Sequence, residues 1–105
     1  MHLVAFTWQD GVTAEQVEEV SSALSKMRGH IPQIRGYLHG PDLGLRAGNG
    51  DYGVCALLDS EEDVSAYLDN PEHLRVLQQV IVPIRAHRLA VQIRVPDGTT
   101  LGVSG

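Results

Sequence analysis

Along this chain the hydrophobic residues switch between two spacings, every second position and every third or fourth, and the switches mark out its elements. Residues 2–8, HLVAFTW, are short, aromatic and β-branched and run into Asp10-Gly11, a turn signal, which predicts a first strand. Within it His2, Val4, Phe6 and Trp8 share one side, with Leu3 and Ala5 on the other. Thr13 stands three residues before Gln16, the pattern of a capping box, and Val17, Val20, Leu24 and Met27 then fall on one helical stripe that stops before Gly29. This spacing predicts a helix over residues 14–28. Ile31-Pro32 breaks it, and residues 34–40 alternate Ile34, Gly36 and Leu38 against Arg35, Tyr37 and His39, a second strand with one wetter face.

Residues 40–50 are rich in glycine and read as a long turn, followed by a third strand over residues 52–58. Ser60 before Glu61, Glu62 and Asp63 is an N-cap with acids in the first turn, so a short helix should run to about Leu68. Asn70-Pro71 restarts a helix, with Leu74, Leu77, Ile81 and Ile84 on one stripe and Pro83 expected to kink or end it. Residues 88–95 alternate Leu89, Val91, Ile93 and Val95 with Arg88, Ala90, Gln92 and Arg94, a fourth strand with one apolar and one polar face. Domain limits follow: residues 1–95 form one α+β domain and 96–105 a tail.

The order βαββαβ is the ferredoxin-like arrangement, one four-stranded antiparallel sheet with its helices on one face. Strands 1 and 3 are apolar on both faces, since Tyr52, Val54, Ala56 and Leu58 stand opposite Cys55 and Leu57. A sheet covered on one side only would be polar on the other. A second copy of the same sheet is the simplest cover, so the expected assembly is a homodimer closed into an α+β barrel.

Composition narrows the function classes. A domain of 105 residues buries only about 60–68% of its unfolded surface, and the single cysteine, Cys55, cannot close an internal disulfide. The thiol reads as a small buried residue in a reducing compartment, and the expected address is the cytoplasm. Net charge is −5 with eight scattered Lys and Arg, so no basic stripe is present and nucleic acid is not an expected partner. No run approaches the roughly 18 apolar residues of a membrane span, so no membrane association is expected. The five histidines show no helical pairing suited to one ion, and the glycines of residues 40–50 do not link a strand to a helix, so neither a metal nor a dinucleotide is expected and the cofactor expectation is none. Ser21, Ser22 and Ser25 read as solvated helix surface.

Three segments in order, His2-x-Val4-x-Phe6, residues 40–46 (GPDLGLR) leading to Gly50-Asp51-Tyr52, and Tyr67-x-x-Asn70-Pro71-x-His73, resemble the stress-responsive A/B barrel (Dabb) family. The resemblance implies a dimeric α+β barrel. It reaches the olivetolic acid cyclase branch of the family, cofactor-free polyketide cyclases that close a ring by an aldol step, and there it implies acid–base roles for His73 and His2 assisted by Tyr67. This chain departs from the family pattern at Asn70, where a histidine is usual, and at Leu24, where the cyclase branch has a tyrosine.

His73 falls at the third position of its helix, where the positive dipole end favours a neutral imidazole, the form a general base needs. His2 opens a strand that this fold can bring near a helix start, so the two imidazoles could divide proton acceptance and donation. Tyr67 could polarise a carbonyl, or pack with its hydroxyl at an edge. A pocket between helices and sheet, lined by Phe6, Trp8, Val54, Leu68 and Leu77, would suit a small apolar carbonyl-containing ligand. Two functions stay open on the sequence: a small-ligand-binding dimer in which these histidines are structural, and a cyclase-like enzyme in which they act.

Overall fold

The computed structural model describes residues 1–99. Strand β1 spans His2–Trp8, helix α1 Ala14–Arg28, β2 Gly36–Pro41, β3 Tyr52–Leu57, α2 Glu61–Asp69, α3 Pro71–Val76 and β4 Arg85–Gln92, with a π-helical turn at Leu77–Ile81 continuing α3. The sheet order is β2-β3-β1-β4 and every pair is antiparallel, with the helices packed on one face: the ferredoxin-like arrangement.

Local chemistry accounts for the element ends. Thr13 Oγ1 accepts from the Gln16 N–H at 3.2 Å while Gln16 Oε1 accepts from the Thr13 N–H at 2.8 Å, which closes the expected capping box. Ser60 accepts from the Asp63 N–H and Asn70 Oδ1 from the Glu72 N–H, so each of the next two helices starts on a side-chain cap. Pro83 ends the helical run in a turn, after which Ile84 accepts from the Gln9 N–H.

That early stop moves β4 forward. It was expected from Arg88 and begins at Arg85, because the segment after Pro83 enters the ladder at once beside Trp8. It ends at Gln92, not Val95: the β1–β4 ladder closes on the pair His2 with Gln92, and Ile93 exchanges both its bonds with Met1 outside the strands. Strand β2 starts at Gly36 rather than Ile34, since Ile34 is tied in a turn to Ile31 and pairing with β3 begins only when Arg35 donates to Leu57. Of the expected tail, Pro96 to Thr99 make a turn, and residues 100–105 lie outside the described residues.

The core between sheet and helices holds Val4, Phe6, Tyr52, Val54 and Ala56 from the central strands against Val20, Leu24, Met27, Val76 and Ile81. The two edge strands distribute their residues differently. On β2 and β4 the mixed or polar set, Tyr37 and His39, Arg88 and Gln92, turns toward the helices. The aliphatic set faces away from them, leaving Leu38 68%, Leu89 77%, Val91 51% and Ile93 48% exposed beside half-buried Leu3, Ala5, Cys55 and Leu57. The open sheet face is therefore a continuous apolar surface, larger in kind than the scattered exposed leucines of ordinary monomers. Among the described residues no helix is long and apolar enough to cross a membrane.

Candidate active site

His2, Tyr67 and His73 come from three distant parts of the chain and meet in one cavity. His2 opens β1 on its helix-facing side, and Tyr67 lies in the last turns of α2, both 2% exposed. His73 reaches the same place because Asn70 and Pro71 restart the helix one and a half turns later, and it is 8% exposed. The inward position of α3 thus goes to a histidine with Val76 behind it, while Leu74, expected on the buried stripe, is displaced to the flank and is 45% exposed. The Tyr67 ring stands between the imidazoles, 4.6 Å from His73 and 5.8 Å from His2 between centroids.

The cavity has a volume near 360 Å³, at the small end for ligand sites. Phe6, Val54, Leu68 and Leu77 line it with the three polar residues, and the π-helical turn supplies both Leu77 and Ile81. Trp8, expected in the wall, is not among its lining residues. It stacks on Phe6 at 5.7 Å and tilts against Tyr52, two residues further along β1 than the last one that lines the cavity.

Tyr37, Arg85 and Arg88 also line the cavity, and the sequence reading passed over all three. Tyr37 OH lies 3.2 Å from Tyr67 OH. Leu24 of α1 lines the cavity too, so the phenol that helix 1 lacks enters from β2 instead. The alternation of β2 holds that signal, since Tyr37 lies on its wetter face, which turns toward the helices.

Hydrogen-bond partners assign the protonation of each ring. His73 Nδ1 lies 3.0 Å from the Leu68 carbonyl oxygen, which can only accept, so the neutral ring carries its proton on Nδ1 and keeps the Nε2 lone pair free. His2 has the opposite tautomer: the Gln92 amide nitrogen donates to His2 Nδ1 at 2.8 Å, which leaves the proton on Nε2. Burial pushes both imidazoles below their ordinary value, reinforced in each case by the positive charge of Arg88; for His73 the bond to Leu68 works the other way without winning. Burial also raises both phenols, Tyr37 far above the usual range, so both hydroxyls keep their protons and Tyr67 has an O–H that can be given.

A second network lies beside the cavity. His39 Nδ1 lies 2.8 Å from Tyr52 OH, Tyr52 OH bonds Ser21 Oγ at 2.7 Å, and His39 Nε2 meets Ser25 Oγ at 3.2 Å. Ser21 and Ser25 therefore face the sheet and tie α1 to it, and His39 is half-buried against the helix layer. Polar helix residues look solvated in a one-dimensional pattern, and only the partner strands reveal the bonds.

His2, His39 and His73 all lie below 6.5, with burial the largest cause each time. The native state holds these rings neutral, whereas the unfolded chain takes up protons near 6.5, so stability is full above that pH and falls as pH drops through it toward the lowered native values. Thermal unfolding from about pH 7.5 to pH 5 should show Tm declining below roughly 6.5. A Tm that stays level across that window would contradict the neutral assignment.

Among the described residues no cluster of three or more His, Cys, Asp or Glu is arranged to hold a metal ion. The family model for the stress responsive A/B barrel domain matches residues 1–95. A dimeric ferredoxin-like protein of unknown function from Thermobifida fusca YX is similar at 47% identity, with a TM-score of 0.83 over 90% of this chain and 88% of that one. A dabb family protein from Mesorhizobium loti is similar at 14% identity and TM-score 0.74, covering 90% of this chain and 95% of that one. The hydroxynitrile lyase of Passiflora edulis shares the fold at 14% identity and TM-score 0.79, over 94% of each chain. No curated protein matches this sequence.

Proposed function

Since this chain belongs to the stress responsive A/B barrel domain family, we propose that it is a cofactor-free acid–base enzyme acting at a carbon beside a carbonyl, of the aldol or enolisation type, and works as a homodimer. The observation that carries this reading is the pair of opposed partners at two imidazoles across one phenol: the Leu68 carbonyl at His73 Nδ1, which assigns a free lone pair to Nε2, and the Gln92 amide at His2 Nδ1, which assigns an N–H to Nε2. A core that needed only packing would have no use for two neutral histidines with complementary proton positions.

The step balances as follows. His73 Nε2 takes the proton from the α-carbon, the C–H electron pair moves into the carbon–carbon bond, and the carbonyl oxygen becomes an enolate oxygen. Tyr67 O–H and His2 Nε2–H donate to that oxygen, as neutral hydrogen-bond donors that do not lose their protons. In ring closure the enolate carbon attacks a second carbonyl, and the His73 imidazolium returns its proton to the new alkoxide, which restores the neutral base. Gln92 is a positioning residue, because its amide holds the tautomer that makes His2 a donor.

Pairing with a second copy is supported by the apolar open sheet face and by the dimeric relative at 47% identity. Cys55 accords with a reducing, cytoplasmic setting. The test is solvent-deuterium incorporation: acetophenone and 4-phenylbutan-2-one are incubated with the protein in deuterium oxide, and loss of their α-proton NMR signals is followed. Exchange above the buffer rate is expected for at least one ketone. A folded protein that accelerates neither would favour the non-catalytic, ligand-binding alternative.

A further inference from the structure

Two of the chain's eight basic residues line this single small cavity, although the net charge is −5. Arg85 and Arg88 are three apart, and in a regular strand an odd separation sends side chains to opposite faces. Here the β1–β4 register runs Phe6 with Arg88 and Thr7 with His87, then jumps to Trp8 with Arg85, so Ala86 is an extra residue in β4. That bulge flips the parity and turns both guanidiniums to the helix side, into the cavity lining.

No carboxylate answers them. Among the described residues the ion pairs are Arg35 with Asp59, Arg75 with Glu72 and Arg94 with Glu61, and none of the 13 acids reaches Arg85 or Arg88. Neither guanidinium has a side-chain hydrogen bond there either; Arg85 contributes only its backbone carbonyl, to Gln9. Arg85 is half-buried and Arg88 exposed. The charge of Arg88 acts on both imidazoles, which puts it close to the reacting groups.

We infer that Arg85 and Arg88 form an anion-binding end of the cavity and that the substrate is a small oxo acid, an apolar carbonyl compound carrying one carboxylate. The inference names the substrate class of the reaction proposed above and rests on it. Guanidinium forks match a carboxylate with two parallel bonds, and they stay charged where a lysine would lose its proton. The cavity lining contains no lysine, and about 360 Å³ accommodates a single ring with a short side chain. A carboxylate held there also fixes the α-carbon relative to His73, which supplies the orientation that base catalysis needs.

The test compares benzoylacetate, its methyl ester and phenyl phosphate, by calorimetry on the intact protein. The acid is expected to bind about tenfold or more tightly than the ester, as hydrogen bonds to charged groups allow, and its affinity should fall with added salt. In Arg85→Met/Arg88→Met the acid-to-ester ratio should collapse toward one. Ester affinity retained in the double variant shows that the cavity still forms, so a collapsed ratio with the ester unchanged reports the lost charge and not a loss of folding. Equal affinity for acid and ester in the unsubstituted protein, or a ratio untouched by the double substitution, would overturn the inference, and so would phenyl phosphate binding more tightly than benzoylacetate. α-Proton exchange, followed for the two ketones and for benzoylacetate, separates this outcome from the proposed function: exchange without acid preference removes the oxo acid only, and acid preference with no exchange of any of the three above the buffer rate removes the catalysis only.

Discussion

Replacing His73 by glutamine should slow α-proton exchange by roughly 10²–10⁴-fold, the range for losing a positioned general base. Glutamine keeps an amide that can donate to the Leu68 carbonyl, so the end of α2 retains its partner while the basic lone pair is gone. His2→Phe should cost about 10²-fold by removing one donor to the enolate oxygen, while leaving the proton acceptor in place.

The pH profile tells the two roles apart. His73 is held below its ordinary value by burial, so the rate in the unsubstituted protein should remain near its plateau below pH 6.5 and fall only where the ring finally protonates. In His2→Phe that acidic limb persists on a lower plateau, because its origin is His73. In His73→Gln it disappears. Equal rates in the unsubstituted protein and His73→Gln, with both folded, would remove His73 from the chemistry and return the histidines to a structural role.

Local signals were strong in the helices and weak at the sheet edges. Thr13 with Gln16, Ser60 and Asn70-Pro71 are caps whose partners lie within three residues, so the sequence alone locates those helix starts. The central strands β1 and β3 carry large apolar residues on their inner faces, and their sidedness follows from alternation. Edge strands β2 and β4 mislead because the cavity is itself polar: Tyr37, His39, Arg88 and Gln92 look like a solvent face and turn inward, while Leu38, Leu89 and Val91 look like core and turn outward.

The candidate site divides the same way. His2, Tyr67 and His73 were legible through their resemblance to a family pattern, and their shared cavity joins them. Tyr37 and the arginine pair were not, because each depends on long-range pairing. Arg85 in particular enters the cavity only through a bulge that no local pattern announces. Trp8 shares the inward side of β1 with Phe6, as alternation predicts, but lies beyond the end of the cavity, and alternation says nothing of how far a cavity extends.

The outward leucines carry the second large prediction, that Leu89→Asp yields separate subunits. In one subunit Leu89 is 77% exposed, so a carboxylate there would meet water and change the stability of a lone domain by no more than about 0.5 kcal/mol. Between two sheets the same carboxylate would be buried without a partner, and its desolvation would cost several kcal/mol for each copy. Twofold pairing presents the substitution twice, so the penalty doubles at the interface. Sedimentation velocity should therefore find a dimer for the unsubstituted protein and a monomer for Leu89→Asp, with the concentration dependence of Tm present in the first and absent in the second. A Leu89→Asp protein that sediments as a dimer with an unchanged Tm would mean that the leucines of β4 face solvent in the assembly, and pairing through the open sheet would have to be abandoned.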